Sequence, residues 1–234
     1  MSSMLIRSQE LRKFSRSLLM AAGLAPEGAA LVEDNLVEAN LKGIDSHGVV
    51  RLDPYLAGIS NGYINLAPDI KVINETNSAS LMDGDNGLGQ VVAHHAVVLA
   101  IKKAKASGVA AIAIRNSNHF GTAGYYALKF VEENMIGLIL SNAPPTMAPW
   151  GGVTPLFGTN PLAWAVPSGM DDPIFLDIAS SVASRGKIKI AADREEEIPL
   201  GWAISPEGNP TTDPKIAMQG TVLPFGEHKG YGIS

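Results

Sequence analysis

Apolar residues recur at helical spacing over 8 to 22 and again over 26 to 42, with Ser8 and Pro26 at the starts and Gly23 and Gly43 at the stops. This pattern predicts two helices joined as a hairpin. Asp53-Pro54 reads as an N-cap followed by proline at the first helical position, with Gly62 closing a third, shorter helix. Two β-like runs, 70 to 73 and 79 to 82, lead through a glycine-rich turn into a long helix from about Leu88 to Ala106. From there β and α signals alternate. Val109 to Arg115 reads as a buried strand, Gly124 to Glu133 as a helix and Ile136 to Ser141 as a strand.

The prolines and adjacent glycines between Asn142 and Asn160 forbid regular structure, and a loop of that length in an apolar chain is usually functional or lies across an interface. Leu162 to Val166 and Ile174 to Asp177 are strand candidates. Ser181 to Arg194 reads as a helix whose end merges into the solvated acidic run Glu195 to Glu197, and 205 to 214 as a connector. From Glu227 to Ser234 the pattern is that of a loop entering a helix that is not completed, which reads as a fragment.

Composition narrows the function classes. With 234 residues, 46% of them hydrophobic and 18% charged, the chain can bury a sizeable core. A net charge of -5 without a basic block argues against nucleic acid as a partner. The absence of cysteine excludes disulfides and thiolate chemistry. The apolar run Leu18 to Ala25 is too short to span a bilayer and lacks a signal-peptide layout, so a cytoplasmic protein with no membrane partner is expected.

Chemistry concentrates at Asp45-Ser46-His47-Gly48-Val49-Val50-Arg51. Ser46 is a good N-cap, and a helical turn after it would put His47 and Arg51 on one face at i and i+4. An imidazole that titrates near neutral pH beside a guanidinium that grips carboxylates is minimal equipment for proton transfer on an organic acid. A surface or capping histidine is the plainer reading of the same residues. Asn116 to Gly124 sits where a strand meets a helix, a place suited equally to capping and to phosphate or ribose contacts. Arg185 and Lys187 fall in a predicted first helical turn, where a bound anion or simple exposure would relieve their conflict with the helix dipole. Gly84-x-x-Gly87-x-Gly89 reverses the Rossmann spacing and reads as a structural turn. His94 and His95 point about 100° apart on a helix and cannot chelate one ion, and are read as one boundary and one surface residue. No metal-ligand spacing is present, although His47, His119 and Asp177 would be the ligands of a metal hydrolase.

Seven segments, taken together and in order, resemble the malate/L-lactate dehydrogenase family that is distinct from Rossmann-fold lactate and malate dehydrogenases. They are Asp45-Ser46-His47-Gly48 with Arg51, Asn118-His119-Phe120-Gly121, Gly158-Thr159-Asn160-Pro161, Leu176-Asp177-Ile178-Ala179, Arg185-Gly186-Lys187, Gly208 to Pro214, and His228-Lys229-Gly230-Tyr231-Gly232. The resemblance implies an α/β (α+β), non-Rossmann fold. A helical, substrate-side domain over 1–75 would carry the Ser-His motif, followed over 76–234 by a mixed-sheet NAD(P)-binding domain that is incomplete at its C-terminus. It implies an NAD- or NADP-dependent oxidoreductase acting on a small 2-hydroxy or 2-oxo acid, assembled as a homodimer. Relatives also handle sulfolactate, ureidoglycolate, diketo-sugar acids and cyclic imino acids. By the same resemblance His47, oriented by Ser46, is the general acid/base, with His119 cast in that role in some relatives. Arg51, Thr159, Arg185 and Gly186 would bind substrate. His119, Phe120, Gly121, Thr122, Ala123, Asp177, Ile178, Ala179, His228 and Lys229 would line the cofactor. Lys187 stands where imine-reducing relatives carry an acidic residue, which favours hydroxy-acid chemistry. A non-catalytic binding or dimerisation module of the same fold is the alternative.

Overall fold

In the computed structural model, which describes residues 5–234, the helical hairpin forms as α1 (Ser8–Ala21) and α2 (Pro26–Leu41). Arg12 of α1 fastens it by pairing with Asp34 at 2.6 Å and Glu38 at 2.8 Å. Beneath these ion pairs Leu19, Val32 and Leu36 are fully buried, and they pack with Leu52, Tyr55 and Leu88 in one apolar cluster. Each such leucine contributes roughly 1.5–3 kcal/mol by leaving water.

Two departures from the sequence reading follow α2. Asp45–His47 and Val49–Arg51 are separate 3-10 turns, because Gly48 between them is extended (φ -82, ψ -154), so no continuous helical turn starts at Ser46. Asn40 holds this kinked segment instead: its Oδ1 accepts from the Val49 N–H at 2.9 Å and its Nδ2 donates to Asp45 at 2.6 Å. The third helix, α3 (Leu52–Ser60), starts ahead of Asp53, which therefore lies inside the first turn and not at the cap.

The first sheet has the order β1-β2-β3, from β1 (Lys71–Glu75), β2 (Ala79–Gly87) and β3 (Ala111–Ser117). β1 runs antiparallel to β2, while β2 and β3 are parallel and are linked by the long helix α4 (Gly89–Ser107). The sequence reading of β3 as buried does not hold, since all but one of its residues are exposed. Its Ala/Ile run has no polar alternation, and periodicity alone does not say how many faces are covered. Helix α5 (Ala123–Val131) follows β3.

The chain divides into two compact units, Met1–Met135 and Ile136–Ser234, so the expected division at 75/76 falls in the turn between β1 and β2 of the first. The second unit contains an antiparallel sheet of β4 (Gly137–Leu140), β5 (Leu162–Val166) and β6 (Ile174–Ile178). The proline-rich segment between β4 and β5 is irregular, as expected. Helix α6 spans Arg185–Arg194, four residues shorter at its start than the sequence suggests, because Ser184 caps it by accepting from the Lys187 N–H at 3.3 Å. β7 (Ala203–Ile204), α7 (Pro214–Gln219), β8 (Thr221–Val222) and α8 (His228–Ile233) complete the unit. Met147, Ile188, Ala203 and Val222 form its apolar cluster. Among the described residues no helix is long and apolar enough to cross a membrane.

Candidate active site

In the first unit the kinked segment after α2 and the segment between β3 and α5 bring two histidines together. The rings of His47 and His119 stack with centroids 5.5 Å apart and planes 29° apart. Ser46 Oγ lies 3.0 Å from His47 Nδ1. Arg51 does not reach the site as the i+4 neighbour of a helix; its Nε donates to the Ser46 carbonyl at 2.6 Å. That bond fixes the root of the guanidinium and leaves its two terminal nitrogens for a planar anion.

His119 is held from behind. Its Nδ1 lies 2.7 Å from the Tyr55 hydroxyl and accepts from the Gly121 N–H at 3.3 Å. Gln90 Nε2 in turn donates to the Tyr55 hydroxyl at 2.8 Å. Gly121 permits the backbone geometry: its φ is +86°, and a Cβ there would stand 1.9 Å from Oδ1 of the fully buried Asn35. Burial, and secondarily Arg51, pushes the His47 imidazole down to about 4. His119 is lowered for the same reasons, with His47 adding a smaller effect. His119 as a whole residue is exposed, while its Nδ1 is covered by the Tyr55 hydroxyl and the Gly121 N–H. Burial raises Tyr55 to about 12, so its hydroxyl keeps its proton at neutral pH. The cluster therefore groups two neutral imidazoles with one cation.

The remaining predicted residues of the first unit follow directly. Phe120 and Gly121 precede α5, Thr122 occupies its N-cap position without a side-chain capping bond, and Ala123 begins it. His94 and His95 are both exposed on α4, with His94 lining a small cavity beside Gln90, Tyr125 and Tyr126. Among the described residues no three His, Asp or Glu side chains converge as a metal site.

In the second unit, Thr159 lies in a loop whose carbonyl accepts from the Ser180 N–H at 2.8 Å, and Asn160 donates to the Ser234 carbonyl at 2.9 Å. Asp177 and Ile178 end β6 and are half-buried, as is Ala179. The guanidinium of Arg185 donates to the Met218 carbonyl, and Lys187 is exposed. A backbone carbonyl and solvent thus relieve the charge conflict in the first turn of α6. Gly186 lies in the same turn. His228 and Lys229 are exposed at the start of α8, with the His228 ring edge-on to Trp150 at 6.5 Å.

A family model described as malate/L-lactate dehydrogenase matches residues 6–234. The chain belongs to that family. It is 47% identical to a malate dehydrogenase of Pyrococcus horikoshii, over 98% of this chain and 66% of the relative. The chain thus spans about two thirds of that protein's length. The solved sulfolactate dehydrogenase of Methanocaldococcus jannaschii superimposes with a TM-score of 0.91 at 43% identity, over 98% of this chain and 67% of that one. The malate dehydrogenase of Entamoeba histolytica gives a TM-score of 0.96 at 33% identity, over 100% of this chain and 68% of that one. The mixed α/β fold without a Rossmann sheet is thereby that of the malate/L-lactate dehydrogenases.

Three residues at this family member's candidate site escape a motif reading. Tyr55 follows Arg51 by four positions on α3, a spacing that helical periodicity could have flagged. Gln90 is a polar residue, 2% exposed, in the first turn of α4, ahead of the apolar run Val91 to Ala93. Asn40, which pins the kinked segment, carries no signal in the sequence beyond its place near the end of α2.

Proposed function

We propose that this chain carries the proton-transfer half of an NAD(P)-dependent dehydrogenase of small 2-hydroxy acids. The observation that carries the reading is the grouping of Ser46, His47, Arg51 and His119 in one cluster. Arg51 would seat the C1 carboxylate through its terminal nitrogens. His47, neutral in the free protein, would accept the proton of the substrate hydroxyl, and Ser46 would hold the ring in place. Burial holds His47 down first and Arg51 second; a carboxylate seated on Arg51 offsets the second of these, so the imidazole becomes a stronger base when substrate is present. His119 would hydrogen-bond the substrate oxygen.

The residues fit a phosphorylated dinucleotide. The N-cap of α5 has no side-chain bond, which suits an anion at the helix start, and His228 and Lys229 are exposed cationic or polar donors. The family resemblance assigns His119 to Ala123 of the first unit, and Asp177 to Ala179, His228 and Lys229 of the second, to the dinucleotide, and Thr159, Arg185 and Gly186 of the second to substrate. When bound, the nicotinamide would take up the hydride that leaves substrate C2 as the hydroxyl proton passes to His47. Malate and sulfolactate, the acids named for the relatives, are the first substrates to try, and a dimer in the cytoplasm is the expected setting.

The test is titration of NADH and NADPH followed by nicotinamide fluorescence, together with turnover of malate, lactate and sulfolactate. Nucleotide binding and turnover by the wild type are expected, with His47→Asn retaining binding but losing at least about 100-fold in turnover. Wild-type rates in that variant would remove His47 from the mechanism. No binding of either nucleotide at millimolar concentration would instead favour the non-catalytic binding or dimerisation module.

A further inference from the structure

We infer that Gln90 and Tyr55 are positioning residues that hold His119 in the tautomer with its proton on Nε2, making it a hydrogen-bond donor to the substrate and leaving proton acceptance to His47. The assignment of function to the two histidines rests on the dehydrogenase reading; the tautomer itself does not.

The chain of donors runs in one direction. Gln90 Nε2 donates to the Tyr55 oxygen at 2.8 Å, so the hydroxyl hydrogen of Tyr55 is free to point at His119 Nδ1, 2.7 Å away. A reversed Gln90 amide would accept the tyrosine hydrogen and undo this, so the direction needs an independent witness. The Gly121 N–H supplies it, because a backbone amide cannot be reversed and it points at the same Nδ1 at 3.3 Å. Two donors directed at one ring nitrogen require a lone pair there, and a neutral imidazole with a lone pair on Nδ1 carries its hydrogen on Nε2. Protonating Nδ1 would set a third hydrogen against those two. A ring so held cannot take up the substrate proton at Nε2, which is already occupied.

The supports are rigid. Tyr55 is 4% exposed, and Gln90 is 2% exposed in the first turn of α4. Gly121 is wedged against Asn35, so the amide it directs at the ring has little freedom. His47 offers the contrast, because among the described residues its Nδ1 faces only the Ser46 hydroxyl, which can donate or accept. His47 can therefore change protonation state while its partner follows, and His119 cannot.

The experiment is ring 15N NMR of the whole chain near neutral pH, with the His119 signals assigned by their loss in His119→Asn. The expected result is a neutral ring bearing hydrogen on Nε2 and none on Nδ1. Gln90→Glu places an acceptor where the amide donor stood and draws the tyrosine hydrogen away. The His119 hydrogen should then shift toward Nδ1, and kcat should fall by about tenfold with little change in KM. Tyr55→Phe, which leaves only the Gly121 amide, should give a mixture of tautomers and serves if the first variant fails to fold. A merely structural role for Gln90 would alter the unfolding midpoint without moving the ring signals. Hydrogen on Nδ1 in the wild type, or wild-type ring signals in either folded variant, overturns the inference. Absence of hydroxy-acid turnover alongside the expected ring signals would overturn the dehydrogenase reading and leave the tautomer assignment standing.

Discussion

At the scale of single residues, the candidate site is built from neutral rings near one cation, and this has a consequence for acid stability. His47 is ordinarily half-protonated at 6.5 and is lowered to about 4 in the fold, by burial first and by Arg51 second. Between those two values the unfolded chain binds the proton and the native chain does not. Stability therefore rises with pH across this interval and is lost as pH falls through it. His119 is lowered in the same direction and adds to the loss. Urea midpoints at about pH 5 and about pH 8 should show it: the wild type loses stability on acidification, and His47→Asn loses less, with the His119 share remaining. An equal acid loss in both proteins would mean that His47 titrates normally in the fold.

At the scale of elements, the site depends on how closely α4 approaches the segment before α5. Gly89 opens α4, and a Cβ on it would stand 2.2 Å from the Asn118 carbonyl oxygen and 2.5 Å from that of His119. Alanine favours a helix over glycine by up to about 1 kcal/mol. Overpacking against backbone costs about 1–3 kcal/mol, so the clash should win and Gly89→Ala should be destabilising. The displaced atoms are the carbonyls of Asn118 and of His119 itself, so the variant should also lose the Tyr55 contact, visible as an altered His119 ring signal. A more stable variant with unchanged ring signals would show that the loop yields freely. The same contact shows what the sequence could and could not disclose. The helices α1, α2 and α4 were legible because their apolar faces repeat at helical spacing, and the Ser46-His47 pair because its chemistry is rare. The reason for Gly89 was not legible, since the backbone it touches lies some thirty residues further along the chain. Nor was the extended Gly48 that splits the turn, because the Asn40 amide that stabilises the kink belongs to the preceding helix. The Gln90–Tyr55–His119 chain joins three elements, and no local pattern announces it.

At the scale of the whole molecule, charge and apolar surface make opposing demands on solubility. The chain carries a net charge of -5 with a pI near 5.5, so repulsion between copies fades as pH falls toward that value. The β4–β5–β6 sheet meanwhile exposes one apolar face. Leu138, Trp164 and Leu176 pair across it at 47%, 44% and 43% exposure, with Leu140 at 67% and Ile174 at 66% on the same side. A contiguous apolar face of this kind drives association of isolated copies. Solubility should therefore pass through a minimum near pH 5.5. Replacing both Leu140 and Ile174 by lysine separates the two causes. The change moves the net charge from -5 to -3, and by repulsion alone should lower solubility at neutral pH. Breaking the apolar face should raise it, and with the two lysines set at opposite corners of the patch, one on each edge strand flanking the Leu138–Trp164–Leu176 row, this effect is expected to win. Both positions are mostly exposed, so each substitution should shift stability by no more than about 0.5 kcal/mol. Static light scattering at neutral pH, read beside the urea midpoint, decides the matter: less scattering at an unchanged midpoint assigns association to the sheet face, and more scattering assigns it to charge.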